Sequence, residues 1–305
     1  MQLVFLGTGG SVPSKNRNVP AVALKIGREI VLFDCGEGTQ RQFMHSPLSF
    51  MQVSKIFISH MHGDHFLGIN GLVQTMSFSG RTEVLEIYGP SGTSENIRRF
   101  LALGHFTPSF EIKLSDMTDG DKRFFETYTV ESRLSAHIVP NLAYSVTEPL
   151  RPGKFNRAEA ERLGIPAGPL FSRLQNGETI RFNGKTIMPE MIVGPPRRGR
   201  KIVYTGDTAP DVAICELARD CDVLIHDCTT DEMLEKKTNI YGHSSARQAA
   251  ETAKKANARV LILTHISPRY EDAASLLEEA RRIFPNTILA EDMMVYEVPF
   301  PPDDE

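Results

Sequence analysis

Residues 54–69 read SKIFISHMHGDHFLGI, and His60, His62, Asp64 and His65 fill four of six positions in a chain with nine histidines. Imidazole nitrogen and carboxylate oxygen are borderline-to-hard donors that suit a divalent ion such as zinc. Side chains alternate along an extended segment, so His60 and His62 point the same way. Asp64 and His65 fall on the turn that follows, where Gly63 permits a tight bend and Gly68 gives the nearby backbone freedom. Two ligand sets this close suggest two ions about 3.5–4 Å apart that share a bridging group. Further donors stand where apolar runs give way to turns: Asp34 in EIVLFDCGEG, His137 in SRLSAHIVP, Asp207 in IVYTGDTAP and His265 in VLILTHISP. Alone, each of these is more often a cap or a satisfied polar group. Together they complete a two-metal site.

Such residues need rigid elements behind them. Short β-branched, apolar runs bounded by turn residues predict strands at QLVFLG, AVALKI, EIVLFD, SKIFISH, VLEIYG, KIVYTGD, DVLIHD and RVLILTH. Helices are predicted near 66–77, 92–103, 244–256 and 271–284; the last has Glu271 and Asp272 early and Arg281 and Arg282 late, as the helix dipole favours. Strands dominate the start of the chain and then alternate with helices, which implies an α/β sandwich with helices outside packed sheets. In α/β architectures ligands gather at strand ends. The stretch TEPLRPGKFNRAEAERLGIPAGPLFSRLQNGE, 147–178, breaks this pattern. It is rich in Pro, Gly and Arg, holds one short helical pattern, and reads as an arm projecting from the body. The end, VPFPPDDE, reads as loose.

Composition bounds the function. A chain of 305 residues that is 41% hydrophobic can bury a sizeable core. No apolar run is long enough to span a bilayer. MQLVFLGTGG lacks the basic start of a signal peptide. Cys35, Cys215, Cys221 and Cys228 form no C-x-x-C pair and read as isolated thiols of a reducing cytosol, with Cys228 a packing residue. A cytoplasmic location follows as an expectation. Residues 151–201 hold eleven Lys and Arg against four Asp and Glu, so in a chain of net charge −4 the remainder carries −11. An acidic body with one basic segment points to an anionic partner held at one place. GTGG at 7–10 fails as a dinucleotide loop, because Val12 stands where a third glycine belongs and Pro13 follows.

SHMHGDH, followed in order by His137, Asp207 and His265 and preceded by Asp34, resembles the metallo-β-lactamase fold over nearly the whole chain. More narrowly, it resembles the tRNase Z family, endonucleases that remove the 3′ trailer from precursor tRNA. FLGTGGSVPSKNRNVPA is similar to that family's opening strand and P-x-K-x-R-N loop, KFN…LGIPAGPLFSRLQNGE to its arm with a Gly-Pro motif, YTGDTAP to the segment with its bridging aspartate, and YGHSSA to its His-Ser-Thr loop. LIHDCTT departs from the family's His-Glu-Ala-Thr, placing Asp227 where a glutamate is usual, and Ser245 stands for a threonine.

The resemblance implies a four-layer αββα sandwich over 1–305 with 147–178 as an inserted, flexible tRNA-binding arm. It implies two zinc ions, or manganese, one held by His60, His62 and His137, the other by Asp64, His65 and His265, with Asp207 bridging. Asp34 would accept a ligand histidine's remaining N–H, and His226 would lie nearby without ligating. Asp64 would take a proton from the attacking water. His243, partnered by Asp227, would protonate the ribose 3′-oxygen, a poor leaving group. Lys15, Arg17, Asn18, Lys154, Gly168 and Pro169 would contact substrate. The products would be a tRNA with a 3′-hydroxyl and a trailer with a 5′-phosphate, made by a homodimer whose arms serve each other's active sites. His45 and His105 read as ordinary histidines. The competing readings are another hydrolase of the fold, such as a small-molecule phosphodiesterase, arylsulfatase or lactonase, and a metal-dependent RNA-binding protein without catalysis. A small-substrate enzyme has no need of the arm, and Asp64 and His243 speak for catalysis.

Overall fold

A computed structural model describes residues 1–302. The chain divides into two compact units, the first comprising Met1–Phe125, Thr129–Val146 and Lys201–Pro299, the second Glu126–Tyr128, Thr147–Arg200 and the described residues from Phe300 on. The first unit contains two seven-stranded sheets. One runs, in spatial order, Val295–Glu297, Gln2–Gly7, Ala21–Ile26, Glu29–Phe33, Val53–Phe57, Leu85–Pro90 and Ile112–Met117. The other runs Thr287–Leu289, Val260–Thr264, Val223–Asp227, Lys201–Tyr204, Leu142–Thr147, Thr129–Leu134 and Lys122–Phe124. Glu29–Phe33 through Ile112–Met117 are parallel in the first sheet, and Lys201–Tyr204 through Thr287–Leu289 in the second. Parallel strands need crossovers, which the helices Ile69–Phe78, Thr93–Leu101, Val212–Leu217 and Ala246–Lys255 supply.

The period-two alternation of these strands builds the layers. Ile30 and Leu32 pack outward with Leu72 and Val73 of the helix Ile69–Phe78 and Ile97 of the helix Thr93–Leu101. Phe33 faces inward, its ring 6.2 Å from that of Tyr144 and 5.5 Å from that of Tyr204 on the opposite sheet. On the far side, Val203, Leu224 and Leu261 pack against Ala249, Ala250 and Ala253 of the helix Ala246–Lys255. Small residues there let helix and sheet approach closely. Helices thus cover both outer faces while aromatic rings fill the middle, the αββα layering expected from the sequence. Phe33, Phe57 and Tyr144 are fully buried, and truncating one to Ala would cost about 3–5 kcal/mol.

The second unit has a core of its own: Ala160, Ile165, Leu174, Ile180, Ile187 and Ile192 are buried together. It contains the helices Arg157–Arg162 and Pro169–Gln175 and a hairpin of Ile180–Phe182 with Lys185–Ile187. The segment 147–178 lies within this unit, which runs on to Arg200 because the three isoleucines after 178 complete its core. The tail expected to be loose is tied down at Phe300, whose ring lies 4.1 Å from the Arg151 guanidinium and 4.0 Å from that of Arg200. The last three residues of that tail lie outside the described residues.

Candidate metal centre

The expected donors meet at the carboxyl ends of the strands. Asp34 follows Phe33, His60 and His62 follow Phe57, His137 follows Leu134, Asp207 follows Tyr204, and His265 follows Thr264. Asp64 and His65 sit in a short helix, Gly63–Phe66, and not on an open turn. Gly63 opens that helix, and Gly68 has an ordinary φ of −74°. Gly68 is required for space: a Cβ there would lie 2.0 Å from the Gly36 carbonyl oxygen. Gly10 makes room in the same way, since a Cβ would lie 2.5 Å from Cε1 of His265. Asp34 and His265 themselves hold left-handed backbone, φ 56° and 61°. Non-glycine residues pay for that conformation, so the surrounding structure imposes it, as is common at functional sites.

Ligand atoms of His60, His62, His137 and Asp207 lie within 4.8 Å of one another, as do those of Asp64, His65 and His265. Within the first group, His60 Nε2 is 2.9 Å and His137 Nε2 3.3 Å from Nδ1 of His62. In the second, Oδ2 of Asp64 is 3.5 Å from His65 Nε2 and 3.6 Å from His265 Nε2. Oδ2 of Asp207 joins the groups, 3.6 Å from His60 Nε2 and 3.3 Å from Nε2 of both His65 and His265. Do these atoms fit a metal? His65 Nε2, His265 Nε2 and Asp207 Oδ1 are buried and have no hydrogen-bond partner. Buried polar atoms are rarely left so, and here the orphans are the atoms that would face an ion.

Behind the donors, the backs of the imidazoles are anchored. His65 Nδ1 is 2.7 Å from Oδ2 of Asp34, which also accepts from Tyr204 Oη at 2.6 Å and Ser59 Oγ at 2.8 Å. Oδ1 of Asp34 accepts from the Ser59 amide at 2.7 Å. His137 Nδ1 donates to the Gly242 carbonyl at 2.9 Å. Ser59 and Tyr204 went unremarked in the sequence, though they adjoin His60 and the YTGD run. The Ser11 amide, which donates to Oδ2 of Asp64 at 2.8 Å, has no sequence signal at all.

A third group, Asp207, Asp227, His243 and His265, is also close enough to share an ion. Asp227 differs from Asp207 in being satisfied. It accepts from the Thr208 amide at 3.2 Å, the Ser244 amide at 3.3 Å and Thr229 Oγ1 at 2.7 Å, and holds His243 Nδ1 at 3.0 Å. Such a carboxylate orients an imidazole and has little left for a metal. His243 does not cap the helix Ala246–Lys255; Ser245 does, in a capping box with Gln248. His226 is buried, and its Nδ1 donates to the carbonyl of Asp227 at 2.8 Å.

Electrostatics follow the same division. Burial opposes charge on His65, but Asp207 and Asp34 outweigh it and hold the imidazole well above its ordinary value. Burial also opposes charge on His265, which Asp207 nonetheless pushes up to about 10. His60 goes down, because burial and the neighbouring His65 both disfavour its proton. Burial likewise opposes the charge of Asp207, yet the imidazoles of His265 and His65 keep it ionised well below the carboxylate range. The carboxylates therefore recruit positive charge. Protons answer that demand in part, and a divalent cation would displace them.

The expected substrate contacts fare differently. Lys15 is exposed. Arg17 turns inward, donating through Nη1 to Thr8 Oγ1 at 2.7 Å and to the Ala290 carbonyl at 2.6 Å. The Asn18 amide donates to Asp292 Oδ2 at 2.7 Å and its Nδ2 to the Glu37 carbonyl at 2.9 Å. Both hold the loop in place. In the second unit Lys154 is exposed and lines a cavity of about 470 Å³ with Arg157 and Glu190. Gly168 and Pro169 are exposed at the start of the helix Pro169–Gln175.

Comparison with known proteins agrees with this geometry. The family described as Anti-Pycsar protein Apyc1 matches residues 1–144, and the beta-lactamase superfamily domain matches residues 185–266. A ribonuclease Z of Methanosarcina mazei is 47% identical over 304 residues, covering 99% of this chain and all of the relative. One from Archaeoglobus fulgidus is 47% identical and covers 98% of both chains. Among solved structures, human tRNase Z, short form, aligns with a TM-score of 0.72 at 30% identity, over 98% of this chain and 100% of the other. Full-length identity at this level, with the donors gathered at the sheet ends, shows that the chain belongs to the ribonuclease Z family.

Proposed function

We propose that the chain is a metal-dependent endoribonuclease that cuts the 3′ trailer from precursor tRNA, leaving a 3′-hydroxyl on the tRNA and a 5′-phosphate on the trailer. The observation that carries this reading is the pair of donor groups joined by Asp207, whose buried orphan atoms ask for cations. Two zinc ions fit the donor chemistry, and manganese would be accepted. His60, His62 and His137 would hold one, Asp64, His65 and His265 the other, and Asp207 both. Once bound, such a pair neutralises charge on a phosphoryl group and lowers the pKa of water.

The chain's own groups supply the rest. Asp64, steadied by the Ser11 amide, accepts the proton of the attacking water. His243 donates a proton to the departing ribose 3′-oxygen. Burial of His243 opposes its charge, but Asp227 outweighs it and raises the imidazole above its ordinary value, which favours the protonated form that task needs. Asp34 and the Gly242 carbonyl fix the ligand imidazoles, and His226 braces the Asp227 backbone. Lys15 and the basic second unit, with Lys154, Gly168 and Pro169 exposed, suit phosphate contacts. Arg17 and Asn18 present Lys15. A homodimer in which each arm serves the partner's site is the accompanying assembly, checked by sedimentation. Among the described residues no helix is long and apolar enough to cross a membrane.

End-mapped cleavage of a labelled precursor tRNA tests the reading. Metal-dependent release of an intact trailer with a 5′-phosphate is expected. Hydrolysis of small diesters with the precursor left uncut would overturn it.

A further inference from the structure

Beside the donor groups lies a recess of about 300 Å³ that has His62 and His243 in its wall. Of its lining residues, the chemistry above uses His62 and His243, with Ser11 and Thr229 bonded to Asp64 and Asp227. The remainder of the wall has a definite character. Ile138, Leu234 and Tyr241 line it, and Ile138 and Tyr241 are 58% and 54% exposed, high for such side chains beside a polar centre. Lys237 and Arg269 are its cations, and Arg269 is steadied by donating through Nε to Ser267 Oγ at 3.1 Å. No carboxylate is among its lining residues. An exposed ring with aliphatic neighbours offers a stacking face, and two cations without an anion ask for a phosphate. A nucleotide has both parts.

Which nucleotide follows from His243. That residue borders the recess, and in the ribonuclease reading, on which this inference rests, it protonates the oxygen that leaves. The ribose bearing that oxygen belongs to the nucleotide on the 5′ side of the scissile bond. We infer that the recess binds this nucleotide, the last one the tRNA keeps, with its base against Tyr241 and its own 5′-phosphate near Lys237 and Arg269. Tyr241 then sets the position of the cut by holding one base, in a site distinct from the arm's grip on the rest of the RNA.

The test uses the metal-loaded full chain with bis(p-nitrophenyl) phosphate as substrate, and compares inhibition by adenosine 3′-monophosphate, adenosine 5′-monophosphate and inorganic phosphate. The purine gives a large stacking face, and the 3′-phosphate stands in for the scissile group. The 3′-monophosphate should inhibit about tenfold more tightly than inorganic phosphate and more tightly than the 5′ isomer. Tyr241→Ala should erase most of that advantage and leave inhibition by inorganic phosphate in place, while Tyr241→Phe should retain it. A 3′-monophosphate no better than inorganic phosphate or the 5′ isomer would overturn the inference, as would equal weakening of all inhibitors by Tyr241→Ala or failure of the Phe variant. Precursor cleavage by the wild-type protein is measured in the same preparation. It reports on the ribonuclease reading separately.

Discussion

The metal centre and the basic second unit handle charge in opposite ways. In the centre, His60, His65, Asp207 and Asp227 are buried and answer one another across a few ångströms. In the second unit, Arg157, Arg162 and Arg173 stand in water and pair with local partners, Glu161, Glu159 and Glu178, on surfaces where each side chain keeps a quarter or more of its exposure. Exposed pairs of that kind add little to stability and give way easily to another anion. Buried charge holds atoms in place for chemistry. Exposed charge keeps its reach and its readiness to exchange partners, which suits a polyanion. Damage to the first region should therefore strike every substrate, and damage to the second only the large one.

Asp207→Ala is the hardest blow to that contrast. Asp207 Oδ2 joins the two donor groups, so the variant should lose both ions and fall by at least ~10³-fold on precursor and aryl diester alike. His137→Ala should mainly weaken one site. Elemental analysis decides, and two full equivalents retained by the Asp207 variant would remove it as the bridge. Replacing residues 149–199 with a short turn between Glu148 and Arg200 is the converse. Precursor cleavage should vanish while aryl diester hydrolysis survives. Intact-protein affinity for the precursor should drop steeply with salt, by ~10³-fold or more between 50 and 200 mM if six or more phosphates are contacted. Equal loss on both substrates, or binding indifferent to salt, would refute the division of labour.

His243→Ala tests a finer distinction inside the centre. A ribose 3′-oxygen needs a proton to leave and nitrophenolate does not, so precursor cleavage should slow by ~10²–10⁴-fold with the aryl diester much less affected. Metal content should hold, and Asp227→Asn should show a weaker version of the same pattern. Rates measured at equal metal occupancy would sink the general-acid role if both substrates lost equally.

The smallest effect concerns pH and the root of the second unit. Glu148 accepts from Arg200 Nη2 at 2.7 Å and Nε at 2.8 Å. Burial opposes the charge on Glu148, but Arg200 wins and holds the carboxyl below its ordinary 4.5. A depressed folded-state pKa contributes stability that is present above the unfolded value and lost as pH falls through the folded one. Amide protection in residues 147–200, taken relative to intrinsic exchange rates at each pH, should accordingly fall below about pH 4.5, and Arg200→Met should flatten that dependence. Unchanged exchange in the variant would show that the pair does not hold the unit closed.

Much of this was legible in the sequence, for reasons that individual residues make plain. His60, His62, Asp64 and His65 sit within six positions, so local spacing alone announces a site. The eight predicted strands are short apolar runs bounded by turn residues, and all eight form. Other features depend on distant contacts. Short polar strands such as Lys122–Phe124 and Val295–Glu297 have no apolar run to mark them, since pairing with a neighbour makes them strands. Arg17 and Asn18 sit in a loop that resembles a substrate motif, yet their side chains serve the loop itself, because a motif does not say which side chains turn inward. Asp34 was visible as a strand-end aspartate, but its partner Tyr204 is 170 residues away. Ile180, Ile187 and Ile192 complete the second core, but they stand singly in a stretch as rich in Pro and Gly as 147–178, where no periodic apolar run marks them.

The orphaned atoms of His65, His265 and Asp207 carry one more consequence. A site that binds ions only when folded adds to the free energy of the folded state as ln(1 + [M]/Kd), about 1.4 kcal/mol for each tenfold rise in free metal per site once the ion exceeds its Kd. Resistance to heat and to proteases should then follow the surrounding metal supply. A chain starved of ions would lose durability as well as catalysis, so the amount of enzyme that persists would itself register metal availability.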